Sequence, residues 1–370
     1  MQKKNICIIT FPISAAGVIP LSNIIEILNP LSNHLYLITG NEGYNSFKDC
    51  SIINSYGINH KTGNNLIAKV GNYILTQINI SYYILQLKHD VDICVFFIGG
   101  DGLIIPMLVL KLLNKKVILA PADYTVKLSK NFLSSMLIRI ISINRLLCNK
   151  IIVHSPILVN EWDLNNYAHK ISIGHEYFID FNNFKLIKKY DSRNYLIGYV
   201  GRLNKEKGVL NFIKSIPEIL NHRNDLKFSI IGDGPLFEEI EQYLICHNLK
   251  DKVQLLGWIP HDKLSEHLNE LKLLVIPSYT ESGPIIALES MACGTPIVAT
   301  KVGQILNMIN DEEHGFIMDS NSPECISKNV LRALTNPNIN QIILNAQNFV
   351  KREFTYDAAI KKYNKILEDL

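Results

Sequence analysis

Two carboxylates, Glu281 and Glu289, bracket the segment Glu281-Ser282-Gly283-Pro284-Ile285-Ile286-Ala287-Leu288-Glu289. The segment reads as a loop turning into a helix, because Pro284 suits the first helical turn, where a missing N–H has no partner to lose. The helix that follows, Ile285 to Cys293, is apolar almost all round and should be buried. Glu289 falls in its middle, on the side of Ile285, Leu288 and Ala292. A buried carboxylate needs a hydrogen-bond or charge partner. A ligand could meet that need, and so could local backbone or an arginine. On a single helix the two carboxylates would stand ~12 Å apart. A glycosidase pair needs ~5–5.5 Å or ~6.5–9.5 Å, so the spacing argues against a hydrolase dyad. It suits two hydroxyl-binding points along an extended polar ligand.

Chemistry of the opposite sign lies upstream. The buried strand Tyr195–Val200 leads into Gly201-Arg202-Leu203-Asn204-Lys205-Glu206-Lys207-Gly208 and then a helix to about Leu220. A glycine at a strand exit lets backbone approach a ligand. Arg202 offers a planar fork for phosphate oxygens and Lys207 a mobile point charge, beside a helix N-terminus that favours anions. A solvated basic loop, with Glu206 between two lysines, is the plainer alternative.

The pattern of strand followed by glycine turn repeats at Phe228–Gly234, at Val253–Gly257 and at Leu273–Ser278 before Glu281. It returns after the helix as Gly294-Thr295-Pro296 and a further strand to Thr300. That edge of an open α/β sheet is where ligands bind.

Four signals occur here in order: Gly201-Arg202 with Lys207-Gly208, Gly232-Asp233-Gly234-Pro235, the Glu281/Glu289 pair, and Met291-Ala-Cys-Gly294-Thr-Pro296. Over roughly residues 195 to 320 they resemble the C-terminal half of the retaining glycosyltransferases of family GT4, which have the GT-B fold. The resemblance implies two Rossmann-like, doubly wound parallel-sheet domains facing a cleft. It also implies transfer of a sugar from a nucleotide-diphosphate donor to a hydroxyl acceptor, without a metal or other cofactor. Arg202 and Lys207 would hold the diphosphate, Glu289 the ribose hydroxyls and Glu281 the transferred sugar. Backbone at Ser282, Gly283, Pro284 and Ile285, with Gly232 and Gly257, would complete the donor site. In the same reading Arg202, Lys207 and Glu281 are the catalytic candidates, with closure of the cleft excluding water. The chain departs from the family at Ser282-Gly283-Pro284, where Gly-Phe-Gly is frequent, and at Leu306-Asn307, where proline and glutamate are.

With 370 residues the chain is long enough for two α/β cores. The resemblance places an acceptor-side domain at 1–182, a donor domain at 183–355, and a last helix at 356–370 that packs back on the first. The polar stretch Asn182 to Asn194 is the expected linker. The balance of 37 basic against 34 acidic residues, with no basic stripe, gives no nucleic-acid footprint. Seven cysteines without C-x-x-C spacing read as core residues of a reducing, cytoplasmic compartment. No signal peptide or membrane span is expected, since Asp92 and the turn at 99–102 interrupt the one long apolar run.

In the first half, candidate strands are Ile6–Thr10, Leu35–Thr39, Ile93–Ile98, Val117–Ala120 and Ile151–His154. Candidate helices lie near 17–29, 64–88, 103–114, 127–148 and 157–166. Gly17 opens a helix after the first strand and is a candidate anion contact. The family often carries a His-Asp pair near the fourth strand, where this chain has Ala122-Asp123; Asp123 is a candidate acceptor contact. His154 and His175 are more often structural than catalytic. The helix 127–148 has an apolar stripe with cations around it. It fits a core helix, or a peripheral contact with the inner membrane face near a carbohydrate or lipid-linked acceptor. A non-catalytic sugar-nucleotide or glycan-binding protein on the same scaffold is the competing reading. A dehydrogenase is disfavoured, because no G-x-G-x-x-G follows the first strand.

Overall fold

Short runs rich in Ile, Val and Phe, buried on both faces, specify parallel strands when helices separate them. The computed structural model describes residues 3–121, 132–194, 196–281 and 283–370. Asp123, Ser282 and the start of the expected helix 127–148 lie outside them. The chain divides into two compact units, Met1–Tyr177 with Asp357–Leu370, and Phe178–Tyr356.

The first unit has strands β1 (Lys4–Thr10), β2 (Ser32–Gly40), β3 (Asn54–Ile58), β4 (Ile93–Phe97), β5 (Lys116–Ala120), β6 (Lys150–Val153) and β7 (Ile171–Ile173). They form one parallel sheet in the order β3-β2-β1-β4-β5-β6-β7. Its helices are α1 (Val18–Leu28), α2 (Glu42–Phe47), α3 (Leu66–Gln86), α4 (Ile104–Leu112), α5 (Phe132–Leu147) and α6 (Ile157–Glu161). The connections through α1 and α2 run one way along the sheet and those through α3, α4 and α5 the other. Right-handed crossovers therefore put the two groups on opposite faces. Accordingly, α3 packs on α4 and α4 on α5. Asn65 starts α3 by accepting from Ala68 N at 2.8 Å, a side-chain N-cap.

In the second unit the strands β8 (Leu196–Val200), β9 (Lys227–Ile231), β10 (Val253–Gly257), β11 (Leu273–Ile276), β12 (Ile297–Thr300) and β13 (Phe316–Met318) order as β10-β9-β8-β11-β12-β13, again all parallel. The helices are α7 (Val209–His222), α8 (Phe237–Cys246), α9 (His261–Glu270), α10 (Ile285–Ala292), α11 (Ile305–Met308), α12 (Pro323–Leu334) and α13 (Ile339–Glu353). Phe212, Phe228 and Phe316 fill its core. A last helix, α14 (Tyr356–Glu368), gives all but its first residue to the first unit.

Some expectations need correction. The helix expected at 157–166 stops at Glu161, because Asp163 takes a left-handed φ of 55° and a tighter helical stretch follows at Asn165–Lys170. β4 ends at Phe97, since Ile98 turns to φ 30°. β3 was not foreseen, because Asn54-Ser-Tyr-Gly-Ile58 is a sheet edge without an apolar run. The stretch at 182–194 is a packed strap: Arg193 is buried and donates to Leu271 O at 2.9 Å and Cys293 O at 2.7 Å.

Candidate functional site

The order of the second sheet reverses between β8 and β11, and the loops leaving their C-terminal ends diverge into the crevice that such a reversal leaves. One loop carries Arg202 and Lys207; the other carries Glu281. Glycines lock the two together. Gly208 sits at φ 66°, and a Cβ there would lie 1.9 Å from Pro277 O. Tyr279 N donates to Glu206 O at 2.8 Å across the same seam. Gly303, at φ 49°, presses against the backbone of the carboxylate itself, where a Cβ would lie 1.9 Å from Glu281 O. Gln304 N donates to that oxygen at 3.1 Å.

The turns after β9 and β10 join the assembly. Gly232 N donates to Gly257 O at 2.8 Å, and Leu203 N to Asp233 O at 2.9 Å. Gly257 has φ 69° and open space where a side chain would be. Tyr199 OH, from β8, donates to Arg202 O at 2.9 Å and sets the start of the basic loop. The Arg202 side chain is exposed and makes no hydrogen bond or ion pair among the described residues.

Lys207 and Glu281 meet directly. Lys207 Nζ donates to Glu281 Oε1 at 2.8 Å, and Ser278 Oγ donates to the same oxygen at 2.7 Å. Glu281 and Ser278 are buried, while a quarter of the Lys207 side chain remains exposed. The cation and the carboxylate that the sequence singled out on separate loops thus form one charge-assisted pair.

Glu289 lies on α10 and is buried, as its helix position required. Ile285 is an exception on that helix, standing exposed at its start, and Pro284 is the residue just before the first helical one. The partner of Glu289 is His261, the first residue of α9, whose Nε2 lies 2.6 Å from Oε1. That hydrogen bond to a carboxylate holds the imidazole pKa above 6.5, against the opposing effect of burial. The His261 ring is exposed and tilts against Phe184 at 5.0 Å. Arg193 and Gln347, which donates to Ala292 O at 3.2 Å, satisfy the C-terminal carbonyls of α10. Sequence reasoning missed His261 and Ser278. The one local signal was Pro260, which begins a helix at the histidine.

Gly283 is half-buried, and its carbonyl accepts from Ile285 N at 2.8 Å. Gly17 belongs to the first unit, where it ends a short turn and opens α1. His154, His175 and Glu176 also belong to that unit and form a buried cluster. His154 Nε2 lies 2.8 Å from Glu176 Oε2, and His175 Nδ1 contacts Tyr177 O at 2.8 Å. No group of His, Cys, Asp and Glu able to hold a metal occurs among the described residues.

Residues 180–349 match the model of the family described as Glycosyl transferases group 1. That segment is a group 1 glycosyltransferase domain, and the two-sheet α/β architecture is GT-B. Among relatives, an uncharacterized glycosyltransferase of Methanocaldococcus jannaschii is 29% identical over 224 residues, 60% of this chain and 60% of that protein. The alpha-D-kanosaminyltransferase of Streptomyces kanamyceticus is 30% identical over 146 residues, 40% of this chain and 38% of that protein. The chain therefore spans less than two thirds of the length of these relatives. Anabaena HepE, solved with UDP, has a TM-score of 0.79 at 15% identity, over 98% of this chain and 100% of HepE. A glycosyltransferase from Rickettsia africae has a TM-score of 0.78 at 18% identity, with all of both chains covered.

Proposed function

We propose that this chain is a retaining glycosyltransferase that moves a sugar from a nucleotide-diphosphate donor to a hydroxyl on a carbohydrate or lipid-linked acceptor, in glycan or glycolipid synthesis. The observation that carries the reading is the pairing of Lys207 with Glu281 at the switch point of a group 1 domain, with buried Glu289 on the helix that follows. Arg202 and Lys207 neutralise the diphosphate, Glu281 binds hydroxyls of the sugar, and Glu289 exchanges His261 for the ribose hydroxyls. The acceptor oxygen bonds to the anomeric carbon as the bond from that carbon to the diphosphate oxygen breaks. The departing oxygen takes the acceptor proton, so the reaction needs no protein base, and Arg202 and Lys207 supply at the diphosphate the positive charge that a metal would otherwise bring. Charge stabilisation at the diphosphate does most where water is scarce: a pair at 4 Å gains ~4 kcal/mol at an effective dielectric of 20 and ~1 kcal/mol in water. HepE was solved with UDP, which makes UDP-sugars the first donors to try.

The test is nucleotide release from a panel of UDP-, GDP- and ADP-sugars by the wild type and Arg202→Ala. Slow hydrolysis of one donor, reduced about 100-fold in the variant, is expected. Nucleotide binding without release, with every acceptor tried, would favour a binding protein on the same scaffold. Absence of binding would remove the donor site.

A further inference from the structure

Of the leucines and isoleucines of α3, only Ile80 and Ile84 enter the core, and the rest stand on the outside. Its buried side carries Thr76, Gln77 and Ser81, each with a partner: Thr76 Oγ1 donates to Asn72 O, Gln77 Oε1 accepts from Ile105 N, and Ser81 Oγ donates to Gln77 O. Its exposed side carries Ile67, Ile74, Leu75, Ile78, Tyr82 and Leu85. At the helical period these six fall in one stripe about 100° wide, where a surface helix normally shows charge. Ile67 is 85% exposed. The helices in series with it also leave apolar residues exposed, Leu112 of α4 at 87% and Leu146 of α5 at 65%. Apolar patches of this extent mark interaction surfaces.

The charged residues carried by these three helices have one sign. From Cys50 to His89 the chain has no Asp or Glu, and α4 and α5 have none either. Lys61, Lys69, Lys88, Lys116 and Arg139 are exposed on and around these helices. The nearest acids along the chain from α3, Asp90 and Asp92, lie in the turn beyond its C-terminus, where Asp92 accepts from Asn5 N. A second copy docked through this face would set the same cations against one another, since a two-fold interface pairs a patch with itself. No described helix is long and apolar enough to cross a membrane. A 21-residue amphipathic helix, about 30 Å long, instead lies in a lipid interface with its apolar side down.

We propose that α3, with α4 and α5 beside it, is the face by which this chain docks on an anionic lipid bilayer. The inference stands apart from the donor chemistry, which belongs to the second unit. It also moves the weight from the helix at 127–148, the segment the sequence pointed to, onto α3. Cations supply attraction to lipid phosphates, and the isoleucines supply insertion.

The experiment is vesicle flotation of the full chain. Binding is expected to vesicles of equal parts phosphatidylglycerol and phosphatidylcholine, and not to phosphatidylcholine alone. Lys69→Glu should weaken binding about fivefold or more. The double variant Ile74→Glu/Ile78→Glu should weaken it about tenfold or more, with thermal midpoint and donor hydrolysis unchanged, because both side chains already face solvent. No flotation with anionic vesicles, or equal flotation of the double variant, overturns the proposal. A wild-type dimer in light scattering that the double variant splits, without flotation, assigns the face to a second copy. Since flotation needs no turnover, its outcome is separable from that of the donor panel.

Discussion

His261 is the residue whose protonation the site feels most directly. Its pKa is raised in the folded chain by the hydrogen bond to Glu289. A base with a raised pKa stabilises the fold fully below its unfolded value, near 6.5, and the benefit is lost as pH rises through the folded value. The thermal midpoint of the wild type should therefore exceed that of His261→Gln at pH 6, and the gap should narrow as the pH is raised above 6.5. A gap independent of pH would mean the contact is packing and not an ion pair. The site was partly legible in the sequence, and the division is physical. Glu289 could be read as buried because an apolar helix leaves a mid-helix residue no route to solvent. Lys207 and Glu281 could be read as polar-ligand residues because each follows a strand and a glycine or proline. Their contact across 74 residues could not be read, nor could that of His261 with Glu289 across 28, because loop closure brings them together.

At the scale of elements, the four glycine turns of the second sheet behave as one part. Gly201, Gly232 and Gly257 are chained by backbone bonds, and Gly208 and Gly303 hold the β11 loop from two sides. Gly303→Ala would put a methyl group into Glu281 O and force a left-handed φ on alanine. We expect about 2 kcal/mol of destabilisation and a midpoint lowered by about 4–8 °C in calorimetry, together with weaker nucleotide binding. An unchanged midpoint would show that the loop relaxes freely. The sequence marked these turns but not their interlock. It likewise located α3 without its orientation, because isoleucines fall on both sides of the helix, with Ile80 and Ile84 facing in and Ile67, Ile74 and Ile78 facing out.

The whole molecule couples distant parts of the chain through the cluster around His175. Burial and the nearby Lys362 ammonium push the His175 pKa from 6.5 down to about 4. Lys362 Nζ, from α14, lies 3.3 Å from His175 Nε2, so the ring is neutral and accepts there while Nδ1 donates to Tyr177 O. A base with a lowered pKa resists protonation only when folded. Stability should fall as pH drops from about 6.5 to about 4, by up to roughly 3 kcal/mol. Glu176 is held below its ordinary value of 4.5 despite burial, by His154, and adds a further loss only under more acid conditions. Denaturant titrations of wild type and His175→Asn should diverge in the upper window alone; parallel curves would assign the acid loss elsewhere.

The division of the chain also has a consequence in time. Residues 178–356 are contiguous, whereas the first unit is assembled from 1–177 and 357–370. On the ribosome the second unit can finish before the first, although the first is begun earlier. At about 5–20 residues per second, β7 and His175 wait roughly 10–40 s for α14 to emerge. During that wait Gly174, which lies against Tyr363 and Ile366 in the finished fold, has no cover from them. The nascent first half is thus the stretch most in need of a chaperone, and the apolar outer side of α3 is already made by then.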